Sequence, residues 1–259
     1  MGALHEGHLS LLKRAINENE VTCCSIFVNP LQFNNPQDLA KYPDTYENDI
    51  GLLQQAGCDM IFTGSLATFF PEYSDPKTIP KDCPSPAAQG LEGKFRPGHL
   101  EGVWTIVDRL FRTVGNCKTY FGEKDFQQTL IIQDLARSLS TQGINIKVKV
   151  CETIRGENGL ALSSRNQRLS ASEKKQALVI YKALSAAKEA WRSGRRQASE
   201  LEDIMVKIIQ DSALELEYAA IRDPGHWTLD TPQGTLNDAR ALIAAYLGEV
   251  RLIDNMGLN

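Results

Sequence analysis

Met1-Gly-Ala-Leu-His-Glu-Gly-His-Leu-Ser10 is the stretch around which the rest of the chain is organised, a glycine-hinged turn running into a helix. His5 and His8 are three residues apart. If the helix begins near Gly7, both imidazoles lie on one helical face and present ring nitrogens toward one point. Gly7 has no side chain, so a nucleotide could approach the backbone there, and the free N–H groups and dipole of a helix start favour an anion. Taken alone, the pattern fits two solvated histidines equally well. It is not the metalloprotease HExxH, whose zinc ligands are four residues apart with a glutamate beside the first, and no metal site is assigned to it.

Working outward, Leu9, Leu11, Leu12, Ala15 and Ile16 form an apolar stripe that predicts a helix to about Asn19. Val21–Val28 is a continuous apolar and β-branched run of the kind found in parallel sheets covered on both faces. It stops at Asn29-Pro30. In open α/β sheets the carboxyl ends of strands face the ligand crevice, which makes Asn29 and Gln32 candidates. A helix from about Tyr42 to Gly57 and a strand over Cys58–Thr63 continue the alternation. The thirty residues from about Phe70 to His99 carry six prolines and little periodicity, as functional lids and disordered segments do. Read alone, the Arg96-Pro-Gly-His99 turn at their end is a surface feature.

Apolar residues from Val103 to Val114 recur at helical spacing, and Thr119–Phe121 reads as a short strand ending at Gly122-Glu-Lys-Asp-Phe-Gln-Gln128. This second motif puts a cation, Lys124, where phosphates would sit and a carboxylate, Asp125, where a ribose hydroxyl would be held. The competing reading makes Asp125 only a helix cap. A further strand is expected over Ile144–Cys151. Beyond Gly156 comes Leu160-Ala-Leu-Ser163-Ser164-Arg165-Asn166, a hydroxyl-rich loop whose arginine suits phosphate oxygens; it reads equally as a polar turn before the capping box Ser170/Glu173. Helices over about 171–192 and 198–212, then strands near 214–221, 239–247 and 250–253, predict an α+β unit.

Composition sets outer bounds. With 259 residues the chain is long enough for a sizeable core, and 42% hydrophobic and 23% charged residues are ordinary for a globular protein. A net charge of −4 gives no basic field, so a nucleic-acid partner is disfavoured while small anionic substrates stay compatible. No run reaches the length of a membrane helix and no secretion signal is visible. The six dispersed cysteines read as reduced, mostly buried thiols, which suits the cytoplasm.

Five stretches together resemble the pantoate–beta-alanine ligase family: Met1–His8, Ser25–Phe33, Arg96–His99, Phe121–Gln128 and Ser163–Asn166. The first alone points only to the wider HxGH nucleotidyltransferase superfamily; all five, in order, narrow it. The resemblance implies an α/β fold with a Rossmann-like parallel-sheet domain, residues 1–154, binding ATP and pantoate, a smaller α+β lid domain, residues 155–259, and a homodimer. It implies condensation of pantoate with beta-alanine through a pantoyl adenylate, using ATP and Mg2+. By the same resemblance His5, His8, Lys124 and Arg165 are catalytic. Met1, Gly7, Gly122, Asp125 and Ser163 join them around ATP; Gln32, Gln128 and Asn29, with Arg96 and His99, face pantoate and beta-alanine. Family members carry a segment ahead of the first motif that includes the sheet's first strand. The first domain is therefore expected to lack that strand and to persist with reduced stability or activity. Two other readings stay open: a nucleotidylyltransferase that stops at its nucleotidyl product, and an inactive nucleotide-binding form.

Overall fold

The stripe that begins at Leu9 builds α1 (Glu6–Glu18), whose Leu9 and Leu12 are buried. The chain then enters β1 (Cys23–Ile26), makes the short helix α2 (Pro36–Ala40), and crosses through α3 (Tyr46–Gln55) to β2 (Met60–Thr63). These two strands pair in parallel with Cys24 opposite Ile61. The computed structural model describes residues 1–43 and 45–259 of the chain, and its backbone contacts divide into two units, Met1–Glu152 and Thr153–Asn259.

The proline-rich stretch has more structure than its lack of periodicity suggested. After α4 (Leu66–Phe69), two 3-10 turns, Pro76–Thr78 and Pro86–Ala88, each begin with a proline behind a capping side chain. Asp75 accepts the Lys77 N–H and Ser85 accepts the Ala87 N–H, so proline's fixed φ and one side-chain oxygen together define each turn. α5 (Leu91–Phe95) follows and leads into α6 (His99–Val114), then β3 (Cys117–Gly122), α7 (Phe126–Ser140) and β4 (Ile146–Cys151). β3 and β4 are again parallel, with Thr119 opposite Val148.

The expected parallel sheet is present as two separate two-stranded parallel pairs, β1–β2 and β3–β4. Beside β1 lies the backbone of Met1, whose nitrogen donates to the Ser25 carbonyl and whose carbonyl accepts the Phe27 N–H, both at 2.8 Å. β1 itself is four residues, shorter than the apolar run, because Val21 is 61% exposed and Asn29 already caps the next turn. The thiols need correcting too. Only Cys24 and Cys151 are buried; Cys23 is exposed and Cys58, Cys83 and Cys117 are intermediate. All six are free.

The second unit is built on a long helix, α8 (Ala171–Arg192), started by the Ser170/Glu173 capping box, and on α9 (Ala198–Gln210). Their apolar faces, including Leu184, Leu201 and Met205, pack against an antiparallel sheet of β5 (Glu215–Arg222), β6 (Arg240–Leu247) and β7 (Val250–Gly257). β7 runs past the apolar stretch that predicted it, because its buried Asp254 is held by Arg155 and so tolerates the interior. Among the described residues, no helix is long and apolar enough to cross a membrane.

One interaction fixes how the opening turn sits on this frame. Asp49 of α3 is buried, and its two carboxylate oxygens accept the N–H groups of Ala3 and Leu4, each at 2.8 Å, while Thr45 donates to the same group at 3.1 Å. Ala3 adopts φ 49°, a left-handed conformation that a residue with a Cβ keeps only when its surroundings impose it. Removing the carboxylate leaves two buried N–H donors without partners. Asp49→Ala is therefore expected to lower unfolding free energy by about 2–4 kcal/mol; urea unfolding that shows a loss below about 1 kcal/mol would contradict this account.

Candidate active site

The helix start at α1 is more closed than its glycine suggested. His5 is the N-cap, and its Nδ1 accepts the Gly7 N–H at 3.1 Å. The His8 ring reaches back, its Nδ1 accepting the His5 N–H at 3.3 Å, and the His8 N–H donates to the His5 carbonyl at 2.8 Å. Backbone donors expected to be free for an anion are thus taken up within the turn, as in a capping box built from imidazoles. Both rings use Nδ1 as acceptor, which places their protons on Nε2, and their centroids are 4.1 Å apart. Burial, with His5 and Lys124 nearby, pushes His8 down to about 3. His5 is lowered by burial and then by Lys124. Near neutral pH the turn therefore offers two neutral Nε2–H donors.

Lys124 and Asp125 follow β3 in a 3-10 turn, Glu123–Asp125, for which Gly122 is the cap position. Asp125 stands at the N-cap of α7 but makes no side-chain capping bond, so the cap reading of this acid does not hold. It lies 4.0 Å from Lys124. Its charge raises the affinity of His5, His8 and His99 for a proton, and Lys124 lowers that of His5 and His8, so these groups lie within electrostatic reach of Asp125.

Arg96 and His99 are not surface residues. Both are buried, because the Pro97-Gly98 turn, with Gly98 at φ 80°, folds them inward, His99 against the turn that follows β1. His99 Nδ1 donates to the Gln32 carbonyl at 2.8 Å, leaving Nε2 to accept from Arg96 Nη1, also at 2.8 Å. His99 thus has the opposite tautomer to His5 and His8, and burial beside Arg96 lowers it to about 3. Glu92, one helical turn before Arg96, lies 3.4 Å from its guanidinium.

Asn29 is buried and turned toward the protein. Its amide nitrogen donates to the Gly102 carbonyl at 3.0 Å and to Gln32 Oε1 at 3.4 Å, and its oxygen accepts the Leu31 N–H at 3.1 Å. A Cβ on Gly102 would stand 2.1 Å from the Leu31 carbonyl oxygen, so α6 can approach this turn only with glycine there. Gln128 is half-buried and its amide bonds to none of the described residues. Ser163 and Arg165 belong to the second unit. There Ser163 Oγ accepts the Arg165 N–H at 3.3 Å at the start of a 3-10 turn, Ser164–Arg168, which is pinned by Asn166 donating to the Ala161 carbonyl at 2.9 Å. That loop is a defined turn rather than a flexible one. Sequence reading missed three buried polar residues: Asp49 and Gln127, which bond to other elements, and Glu92, which meets Arg96 one helical turn on.

Parallel α/β pairs, a histidine-capped helix start and a Gly-Glu-Lys-Asp turn at the end of β3 define a Rossmann-like enzyme. A family model described as pantoate–beta-alanine ligase matches residues 1–257. The chain belongs to the pantoate–beta-alanine ligase family. It is 42% identical over 257 residues to the pantothenate synthetase of Cytophaga hutchinsonii, covering 99% of this chain and 88% of the relative. It is 41% identical over 261 residues to that of Bacteroides fragilis, with the same coverages. Among solved structures, pantothenate synthetase from Thermus thermophilus superposes with a TM-score of 0.90 at 39% identity, covering 100% of this chain and 91% of that one. The Francisella tularensis ligase, complexed with beta-gamma ATP and beta-alanine, gives 0.77 at 36% identity, over 100% and 87%.

The buried neutral imidazoles make stability pH-dependent. An unfolded histidine takes up a proton below about pH 6.5, whereas folded His8 and His99 resist protonation down to about 3, so acidification favours the unfolded chain. Stability should fall as pH drops from about 6.5 toward 4, and His8→Asn should flatten that slope by about 1 kcal/mol per pH unit. Urea unfolding at several pH values checks this, and a His8→Asn slope equal to that of the parent chain would contradict it.

Proposed function

We propose that this chain joins pantoate to beta-alanine in two steps on one nucleotide. A pantoate carboxylate oxygen attacks the α-phosphorus of ATP, and the bond to the leaving pyrophosphate breaks to give pantoyl adenylate. The beta-alanine amine then attacks the acyl carbon; the carbon–oxygen bond to AMP breaks, the amine loses a proton, and pantothenate and AMP leave. The observation that carries this reading is the pair of neutral imidazoles, locked by Nδ1 into the α1 start beside Lys124. Donors fixed in advance toward developing phosphate charge are what the first step needs, more than a protein base.

In this reading the Nε2–H groups of His5 and His8 and the Lys124 ammonium lie along the phosphates, with Met1 and Gly7 lining the nucleotide. Gly122 and Asp125 hold the ribose. Ser163 and Arg165 are assigned to phosphate as well, work that a hydroxyl and a guanidinium suit. Gln32 and Gln128 hold pantoate, and amides suit that work because they serve hydroxyls and a carboxylate without adding charge. Asn29, Arg96 and His99 act behind Gln32 rather than on the substrate, because their polar atoms face the protein. Among the described residues no three His, Cys, Asp or Glu side chains converge as a metal site. Mg2+ is proposed to arrive on the nucleotide's phosphates, whose charge it neutralises. The Francisella complex supports the nucleotide and beta-alanine assignments. The enzyme is proposed to be a cytoplasmic homodimer.

Pyrophosphate release by the purified chain, with ATP and Mg2+, should require pantoate, and pantothenate should appear only when beta-alanine is added. Release without pantoate would point instead to a nucleotidylyltransferase acting on another acceptor. Lys124→Ala should lower the rate of pantoate-dependent pyrophosphate release about a hundredfold or more; an unchanged rate would remove Lys124 from the phosphate site.

A further inference from the structure

Gln127 is 2% exposed and stands next to Gln128 on α7, yet the two amides do different work. The two N–H groups of the Gln127 amide reach three carbonyls of one loop, those of Ala87 at 2.7 Å, Gly90 at 3.1 Å and Gln89 at 3.3 Å, so one N–H is shared. Its oxygen accepts the Glu92 N–H at 2.9 Å. One side chain therefore grips the loop on both sides of Leu91. That residue holds φ 36°, a left-handed value that costs a leucine free energy, next to Gly90 at φ 70°. The loop is also packed too tightly to relax in place: a Cβ on Gly93 would stand 1.8 Å from the Ala88 carbonyl oxygen. Strained backbone of this kind persists only where its neighbours over-determine it.

From the gripped loop a continuous polar chain runs to the site. Glu92 meets Arg96, Arg96 donates to His99, and His99 donates to the carbonyl of Gln32. Every link from Gln127 to His99 is buried, where a polar group left unmade is costly and geometry is correspondingly sharp.

We propose that Gln127 is a positioning residue for the pantoate end of the site: it holds the strained 87–92 loop so that Glu92, Arg96 and His99 fix the turn carrying Gln32. This rests on the reading that Gln32 and Gln128 hold pantoate. Gln127 makes α7 a common support, with one amide toward substrate and its neighbour setting the opposite wall.

The test compares initial-rate kinetics of purified variants, with pantoate and ATP varied separately. Gln127→Met keeps length and apolar bulk but loses the hydrogen bonds to the loop, and it should raise the pantoate KM about tenfold to a hundredfold while ATP KM changes less than about twofold. Adding Leu91→Gly to Gln127→Met removes the penalty on the left-handed conformation and should bring pantoate KM part of the way back, although a buried side chain is lost. A purely space-filling Gln127 would give the reverse, a further loss with Leu91→Gly, and that result overturns the proposal. So does an unchanged pantoate KM in Gln127→Met, or an equal rise for both substrates. Should Gln127→Met fail to fold, Glu92→Gln decides: it keeps the N–H that Gln127 accepts but drops the charge facing Arg96. A raised pantoate KM supports the relay, and an unchanged one overturns it. Gln32→Ala and Gln128→Ala are measured alongside. If these leave pantoate KM unaltered, the pantoate reading itself fails; if they raise it while Gln127→Met does not, only the present inference fails.

Discussion

The carboxylate of Asp49 is the contact on which the site's geometry depends. The histidine turn has almost nothing regular to rest on at its start: Gly2, a left-handed Ala3, and then Leu4 before the helix. By accepting both the Ala3 and Leu4 N–H groups, Asp49 ties that turn to α3, which also delivers the chain to β2. The imidazoles of His5 and His8, locked into the helix start by their own Nδ1 bonds, are placed in turn by the hold on the two residues before them. A hydrogen-bonded anion below the turn also satisfies donors that would otherwise be buried and open, and this is why an ionisable side chain stands at 1% exposure there.

Around this turn the protein uses three histidines in two electrical senses. His5 and His8 turn Nδ1 to the backbone and offer protons outward, whereas His99 gives its Nδ1 proton to the Gln32 carbonyl and takes a hydrogen bond from Arg96. All three are lowered by burial, so the nearby positive charge rests mainly on Lys124 and on the guanidinium of Arg96, with Asp125 as the acid felt by all three rings. Such a division leaves the imidazoles as neutral hydrogen-bonding groups and keeps the full charge at a few fixed points.

Much of the fold was legible because its helices and strands carry their periodicity locally: α8 and α9 begin where the capping serine and the apolar stripe say, and β3 and β4 fall on the apolar runs. What was hidden is non-local. Arg96 and His99 looked like surface residues because a proline-rich stretch shows no period, and their partner, the Gln32 carbonyl, is 67 residues from His99. Asp49 reads as one more acid on the polar side of α3 until its bonds to residues 45 and 46 positions away are seen. Gln127 and Gln128 are the same residue type side by side, and only the rotation of α7 sends one into the loop. The family motifs marked the candidate residues without showing which of them face substrate and which hold a neighbour in place.

The topology of the second unit has a consequence for how the chain acquires its structure. β6 and β7 are joined through Gly248 and Glu249 alone, Gly248 having the positive φ, 57°, that a tight hairpin requires, so Leu247 meets Val250 at once. In the first unit each parallel pair must wait for a crossover: Cys23 meets Met60, and Cys117 meets Ile146. Loop-closure entropy is paid late in such pairings, which makes them slow relative to hairpins and helix pairs. The unit synthesised last is thus the one that can condense first. The half of the chain bearing the histidine turn completes its strands against a slower clock, with β1 and β3 open to other partners in the meantime.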